Sequence, residues 1–100
     1  MNDRELLELA AKAVGHAIDR IDAMHEPEDW ACWNPLTDDG DALRLAVKLS
    51  LMLDTAYNGC TAVGSATLCE ILEPHNGDPC AATRRAIVRA AAEIGKVANE

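Results

Sequence analysis

The chain has very few aromatic residues with which to build a hydrophobic core. It contains two tryptophans, one tyrosine and no phenylalanine, although 49% of its 100 residues are apolar. The core therefore has to be assembled from Leu, Ile, Val and many Ala residues, and each Ala buries little area. One hundred residues also provide only one such core. We predict a single globular domain, residues 1–100, whose stability depends on closely packed helices or on a partner.

Both ends of the chain have the pattern of amphipathic helices. Apolar residues recur every three or four positions over residues 3–23, and Asn2 or Asp3 can cap the first turn. Near the other end, Asp78 is followed by Pro79, which is typical of a helix start. The predicted buried face of this C-terminal helix comprises Ala82, Ala86, Ile87, Ala90, Ala91, Ile94 and Val97. The run of three alanines within it predicts a close contact with another helix or with a sheet.

The middle of the chain begins with a second helix and then changes its periodicity. Residues 37–41 have helix-start chemistry, and the helical pattern continues to about Lys48. From Leu49 onward, apolar and polar residues alternate, which is typical of a strand. The alternative is one continuous helix over residues 43–57, because some of the same apolar residues also fit a helical stripe.

A hairpin and further strands are predicted after this point. Asn58-Gly59 is a strong hairpin-turn signal, and residues 60–65 would form the returning strand. A third apolar run, residues 68–72, ends before Pro74. The sequence thus predicts an α+β fold with an N-terminal helix, a second helix, a short antiparallel sheet of two to three strands, and a C-terminal helix.

The net charge of −8 is concentrated in one part of the chain. Residues 19–41 contain eight acidic residues and one basic residue, which gives this segment a net charge of −7. Such a segment repels nucleic acid and attracts cationic surfaces. Helix capping accounts for the acids at residues 38–41, so the charge left for a partner is mainly Asp19, Asp22, Glu26, Glu28 and Asp29. The alternative is that the cluster is a solvated surface that keeps a small protein in solution.

Both tryptophans lie in a segment that we predict to be an irregular loop, residues 24–37. Pro27 and Pro35 exclude a long helix there. Tryptophan is enriched in binding hot spots, and acids beside it would suit a partner rich in Lys and Arg. We therefore predict a partner-binding site formed by Asp19, Asp22, Glu26, Glu28, Asp29 and Trp30. Trp33 is instead expected to fold back and fill the aromatic-poor core.

The residues that could carry catalysis or bind a metal are scattered along the chain. Cys32, Cys60, Cys69 and Cys80 form no CxxC pair, and the alternative metal site would need His25 and His75 to meet Cys32. There is no nucleophile elbow and no glycine-rich phosphate loop. We therefore expect no enzymatic activity, no metal and no cofactor.

The sequence also predicts where the protein resides. The N-terminus leads into a charged helix with no signal peptide, and no apolar run approaches the ~20 residues that a membrane span needs. Cysteines in the reducing cytoplasm remain thiols. We therefore expect a soluble cytoplasmic protein with four free thiols and no membrane partner.

Two segments carry a resemblance to known proteins. Residues 33–49 (WNPLTDDGDALRLAVKL) and 78–95 (DPCAATRRAIVRAAAEIG) resemble matching segments of small bacteriophage-encoded proteins, and together they cover about a third of the chain. That family looks like a helix, a few antiparallel strands and a closing helix. Among such phage proteins, the length, the acidity and the tryptophan-bearing acidic segment look like a type I-F anti-CRISPR protein.

This resemblance implies a function in the host cytoplasm. An anti-CRISPR protein of this type binds directly to the CRISPR surveillance complex, whose Lys- and Arg-rich surfaces receive DNA. An acidic protein would occupy such a basic surface and block target DNA binding without binding nucleic acid itself. The alternative is a phage structural or housekeeping protein, which would act as a homodimer that associates through its Ala-rich C-terminal helix.

Overall fold

A layer of helices packs on one face of an antiparallel sheet. The computed structural model describes residues 2–18, 33–65 and 68–98. In chain order, the elements are α1 (Asp3–Ile18), α2 (Asp39–Lys48), β1 (Met52–Tyr57), β2 (Cys60–Ser65), β3 (Leu68–Pro74) and α3 (Pro79–Ala98). The predicted α+β class and the order of its elements are confirmed. Of the predicted first helix, residues 19–23 lie outside the described part of the chain.

The side chains that the sequence places at the helix starts do cap them. Asn2, Asp38 and Asp78 each accept a hydrogen bond from the backbone N–H three residues further on, at 2.8 to 3.0 Å. The first N–H groups of a helix have no partner within it, so each of these oxygens satisfies a donor that would otherwise be unpaired. The predicted starts of all three helices are therefore confirmed.

A Schellman-type turn ends α2. Ser50 adopts a φ of 54°, and its N–H donates to the Val47 carbonyl at 3.1 Å. The Leu51 N–H donates to the Ala46 carbonyl at 2.9 Å. These bonds satisfy carbonyls that the helix leaves unpaired, and they turn the chain into β1. The prediction of a strand, rather than one continuous helix, is confirmed.

The sheet has the strand order β1-β2-β3. Asn58 and Gly59 join β1 to β2 with φ angles of 50° and 74°, the left-handed geometry of a two-residue hairpin turn, so the predicted hairpin is confirmed. Directly paired residues share a face of the sheet. Leu53 pairs with Val63, which in turn pairs with Ile71. Val63 is fully buried in the core beneath the helices, so we call this side the inner face.

The C-terminal helix α3 lies at the centre of the molecule. It packs against α1, α2, β2 and β3, and its small residues Ala82, Ala86, Ala90, Ala91 and Ala92 are buried. The close contact that the alanine run predicts is confirmed, because α1 and α3 share the most extensive contact among the described elements. The prediction that Val97 is buried is wrong. This residue is 71% exposed, since no described element covers that side of the last turns of α3.

Trp33 contributes to the core from the segment before α2. It is half-buried and packs against the central cluster of apolar residues, as predicted for an aromatic-poor core. Trp30 lies outside the described residues.

Candidate functional site

The partner-binding residues predicted from the sequence all lie outside the described part of the chain. They are Asp19, Asp22, Glu26, Glu28, Asp29 and Trp30, and the interval between the first two described ranges is residues 19–32. This site therefore remains a prediction from charge and composition.

The three acids at the start of α2 all bond within the protein, although only Asp38 does so as the predicted helix cap. Asp38 caps α2, and Asp41 accepts a hydrogen bond from the Asn34 N–H at 2.9 Å. Asp39 pairs with Arg84 of α3 at 2.5 Å. Asp39 thus connects α2 to α3, whereas Asp38 and Asp41 bond within α2 and the turn before it. All three therefore contribute less to a partner site than the remaining acids of the predicted segment.

An apolar groove of about 350 Å³ lies between α2, β1 and the first half of α3. We call it the α2–β1 groove and define it by Ala42, Leu43, Leu53, Thr83 and Ile87. Leu43 on α2 and Leu53 on β1 line it with 58% and 39% of their surface exposed, respectively, whereas Ala42 and Ile87 are buried. A concave apolar surface with few polar groups is a typical binding site.

The groove exists because the helices do not cover β1. α3 packs on the inner face over β2 and β3, while the main contacts of β1 are with β2. All six residues of β1 are exposed. Among the described residues, no further strand pairs with its other edge. Within the described part of the chain, β1 therefore has an unpaired edge directly beside an apolar groove.

Further exposed apolar side chains lie on α2 and β1 outside the groove. Val47 lies one turn after Leu43 on α2 and is exposed. Met52 and Tyr57 are exposed on β1, and Met52 lies on the face opposite Leu53 because side chains alternate along a strand. Single exposed apolar residues are common, but a cluster of large ones marks an interaction surface.

The arginine beside the groove is held by the fold. Arg84 Nε donates to the Leu36 carbonyl at 2.9 Å, and its Nη1 pairs with Asp39. The hydrogen bond to Asp39 raises the pKa of Arg84 above its ordinary value, although burial opposes this shift. The guanidinium fixes the turn before α2 to α3.

Two carboxylates in this region, one on β1 and one at the start of α3, form no ion pair within the described residues. Asp54 of β1 accepts the Ala56 N–H at 3.0 Å, and Asp78 caps α3, but neither forms an ion pair there. The nearby Arg84 is already paired. The charge that this region offers to a partner is therefore negative.

A buried polar cluster lies behind the groove. Thr61 on the inner face of β2 is fully buried, and its hydroxyl lies 2.8 Å from Thr83 Oγ1 and 3.0 Å from His75 Nε2. No buried side-chain N or O in the described residues lacks a hydrogen-bond partner. These contacts join β2, the turn after β3 and α3, and they support the base of the groove.

A second cleft, at the β3 side of the sheet, is polar. Glu73 of β3 pairs with Arg89 of α3 at 2.5 Å, and Arg85 of α3 pairs with Asp3 of α1 at 3.1 Å. Glu73 also lies 3.9 Å from Arg85. These ion pairs connect α1, β3 and α3. Because the charges neutralise one another, the cleft offers little unpaired charge to a ligand.

The described residues contain no cluster suited to a metal. No group of three His, Cys, Asp or Glu side chains among them could hold an ion. Of the alternative metal site, His25 and Cys32 lie outside the described part. Cys60 and Cys80 are free thiols, as predicted. No helix in the described ranges is long and apolar enough to cross a membrane.

No family model matches this chain, and no significant match is found among curated proteins or solved structures. The resemblance to phage proteins and to type I-F anti-CRISPR proteins is therefore still a hypothesis, and the function has to be argued from the surface of the molecule.

Sequence reasoning did not predict the α2–β1 groove. A signal was present, because Leu43 and Val47 of α2 lie off the stripe that contains the buried Leu45. On β1, the adjacent Met52 and Leu53 place apolar side chains on both faces of the strand, although only one face of the sheet is covered by helices. Apolar residues in excess of what one packed face can use indicate a second contact surface.

Proposed function

We propose that this protein acts by binding a protein partner, and that it inhibits a type I-F CRISPR surveillance complex by blocking the binding of target DNA. The observation that carries the protein-binding part is the α2–β1 groove beside the free edge of β1. The choice of partner depends on the sequence resemblance and on the net charge of −8.

The character of the groove supports binding rather than chemistry. Its walls are mainly aliphatic, its arginine is already paired with Asp39, and the hydroxyl of Thr83 is bonded to that of Thr61; the exposed Cys80 thiol also lines it. Among the described residues that line the groove there is no histidine, and its one carboxylate, Asp39, is held by Arg84, which leaves little for acid–base catalysis. An exposed apolar centre with polar groups at its rim is instead the usual composition of a protein interface.

The acidity supports a basic partner surface. Residues 19–29 contain Asp19, Asp22, Glu26, Glu28 and Asp29, and Trp30 follows directly. In this proposal, these carboxylates steer the protein to Lys- and Arg-rich surfaces of the complex, where they take the place of DNA phosphates. Steering between exposed charges is screened beyond about 8–10 Å at physiological salt, so association should slow as salt rises.

A DNA-binding assay with the purified surveillance complex tests the proposal. We expect the protein to reduce binding of a labelled target duplex in proportion to its occupancy of the complex. The double variant Glu28→Lys/Asp29→Lys should lose this inhibition. The matched control is Glu5→Lys/Glu8→Lys on the exposed side of α1, which changes the net charge by the same amount.

The two variants separate a local site from a general charge effect. Inhibition lost only in Glu28→Lys/Asp29→Lys, with unchanged far-UV spectra, supports an interface at these residues. Equal loss in both variants would show that net charge alone matters. Full inhibition by Glu28→Lys/Asp29→Lys would refute the proposed interface, and no effect of the parent protein on DNA binding would refute the function.

The homodimer hypothesis requires a different contact surface from the predicted one. The alanines through which we expected α3 to dimerise are buried inside the molecule against α1 and the sheet. Any homodimer would have to use another surface, and the free edge of β1 is the specific feature that favours one. Light scattering at high protein concentration distinguishes the two candidates, since a strict monomer excludes the second.

A further inference from the structure

We infer that the α2–β1 groove and the free edge of β1 form one docking surface for an extended basic segment of the partner protein, which joins the sheet as a fourth strand. This inference depends on the proposed function only in assuming that the chain works by binding a protein.

The geometry of the sheet places an added strand beside the groove. A new strand would lie about 4.8 Å from β1 on the side away from β2, and its side chains would alternate between the two faces. The groove is lined by β1, α2 and α3, and no β2 residue lines it, so it opens toward the same free edge. Inward-facing side chains of the added strand would therefore enter the groove between Leu43 and Leu53.

The exposed apolar residues around the edge fit this arrangement. Leu43 and Val47 of α2 would cover the inward side chains of the added strand, and Leu53 would be their neighbour on the sheet. On the outer face, Met52 lies where a cross-strand contact to the same segment would form. A fourth strand would thus bury apolar surface that the isolated chain leaves in water.

Charge selects a basic segment. Asp54 on the edge strand has no ion-pair partner among the described residues, nor does Asp78 at the start of α3. Opposite charges across paired strands are favourable and like charges are not. A segment that alternates apolar side chains, facing inward, with Lys or Arg, facing outward, complements both the groove and Asp54, which lies on the outer face with Met52.

The same charges disfavour a second copy of this chain as the occupant. Two molecules of net charge −8 repel each other. If two β1 strands paired about a twofold axis at their centre, the two Asp54 side chains would approach each other.

Peptide titration of the full ¹⁵N-labelled chain tests the inference. The probe is a seven-residue blocked peptide of alternating Lys and Val, and its control is the same peptide with Glu in place of Lys. We expect saturable shifts of the amide signals of β1 and of α2 near Leu43 with the Lys peptide only, weakening as salt is raised. Equal binding of the Glu peptide, shifts confined to other elements, or no saturable binding would overturn the inference.

Two pairs of variants locate the surface. Leu43→Lys should weaken binding of the Lys peptide about tenfold or more, because an apolar contact is lost and a like charge is added. Val97→Lys makes the same change at an exposed position of α3 away from the groove and should have no effect. Asp54→Lys should abolish binding of the Lys peptide and permit binding of the Glu peptide. Glu70→Lys, an exposed residue of β3, is its control.

These outcomes are independent of the test of the proposed function. The titration contains neither the surveillance complex nor DNA, so a failure here leaves inhibition of that complex to be judged by the DNA-binding assay. Conversely, peptide binding with the expected variant pattern would stand even if the complex were not the partner. Self-association that Leu43→Lys abolishes would show that a second copy occupies the surface, and it would refute the inference.

Discussion

Replacing Gly95 with Ala tests the helix crossing on which the fold depends. A Cβ atom at residue 95 would overlap the carbonyl oxygen of Leu9 in α1 and lie 2.9 Å from the carbonyl carbon. Because the obstacle is backbone, no rotamer change relieves it, and α1 would have to move away from α3. Overpacking a core lowers the free energy of unfolding by roughly 1–3 kcal/mol, while Gly→Ala within a helix raises it by up to about 1 kcal/mol. Since the overlap is with backbone, we expect the free energy of unfolding to decrease by about 2 kcal/mol overall.

Thermal and urea unfolding followed by circular dichroism measure this loss. For a domain of this size, about 2 kcal/mol corresponds to a decrease in Tm of roughly 8–16 °C. The matched control is Gly15→Ala in α1, where a Cβ meets nothing within 4 Å. This variant should be stabilised by about 0.5–1 kcal/mol. If Gly95→Ala unfolds at or above the Tm of the parent while Gly15→Ala behaves as expected, α1 and α3 do not meet at Gly95.

Two further substitutions test the turn after α2 and the buried polar cluster. Ser50→Gly should raise the free energy of unfolding by up to about 1 kcal/mol. The reason is that Ser50 has a left-handed φ of 54°, which Gly adopts without strain. An unchanged or lower midpoint of urea unfolding would contradict this prediction. Thr61→Val keeps the shape of a fully buried side chain but removes its hydroxyl from Thr83 and His75, and should lower the free energy of unfolding by about 1–2 kcal/mol. A Val variant as stable as the parent would show that these two hydrogen bonds contribute nothing net.

Much of the fold could be predicted because local signals and tertiary packing agree. Asn58-Gly59 supplies the two left-handed residues that the hairpin needs, and Asp78 before Pro79 marks the start of α3. The end of α2 was harder to predict. Its turn uses Ser50 in a conformation usually given to Gly, so composition alone left a continuous helix open as the alternative.

The buried face of α3 was predicted only in part, for a reason of packing. An amphipathic pattern identifies one stripe, which here contains Ala86 and Ala90. A central helix with neighbours on several sides also buries residues off that stripe, such as Val88 and Ala92. Near its end the helix is no longer covered on the side of Val97, and the same periodicity then places an apolar residue in water. Periodicity does not tell how far the neighbouring elements extend.

The candidate groove was missed because it depends on what lies beside β1 rather than on any motif. The local sequence of β1 predicts a strand equally well whether it lies at the centre or at the edge of a sheet. Only the topology shows that β1 is an edge and that α3 stops short of covering it. The residues of the predicted acidic site, which run from Asp19 to Trp30, lie outside the described part of the chain, so the charge hypothesis and the groove are separate observations.

The free edge of β1 and the acidity of the chain have to be considered together. A free strand edge with exposed Met52 and Leu53 invites pairing with other copies of the chain, which natural proteins usually prevent with charge. Here the carboxylate of Asp54 lies on that edge, and the whole chain carries a net charge of −8. Identical molecules therefore repel one another at the edge where they could otherwise pair. The same charge attracts a basic segment. If the proposed docking surface is right, the acidity of the chain disfavours self-association at this edge and favours a partner segment of opposite charge.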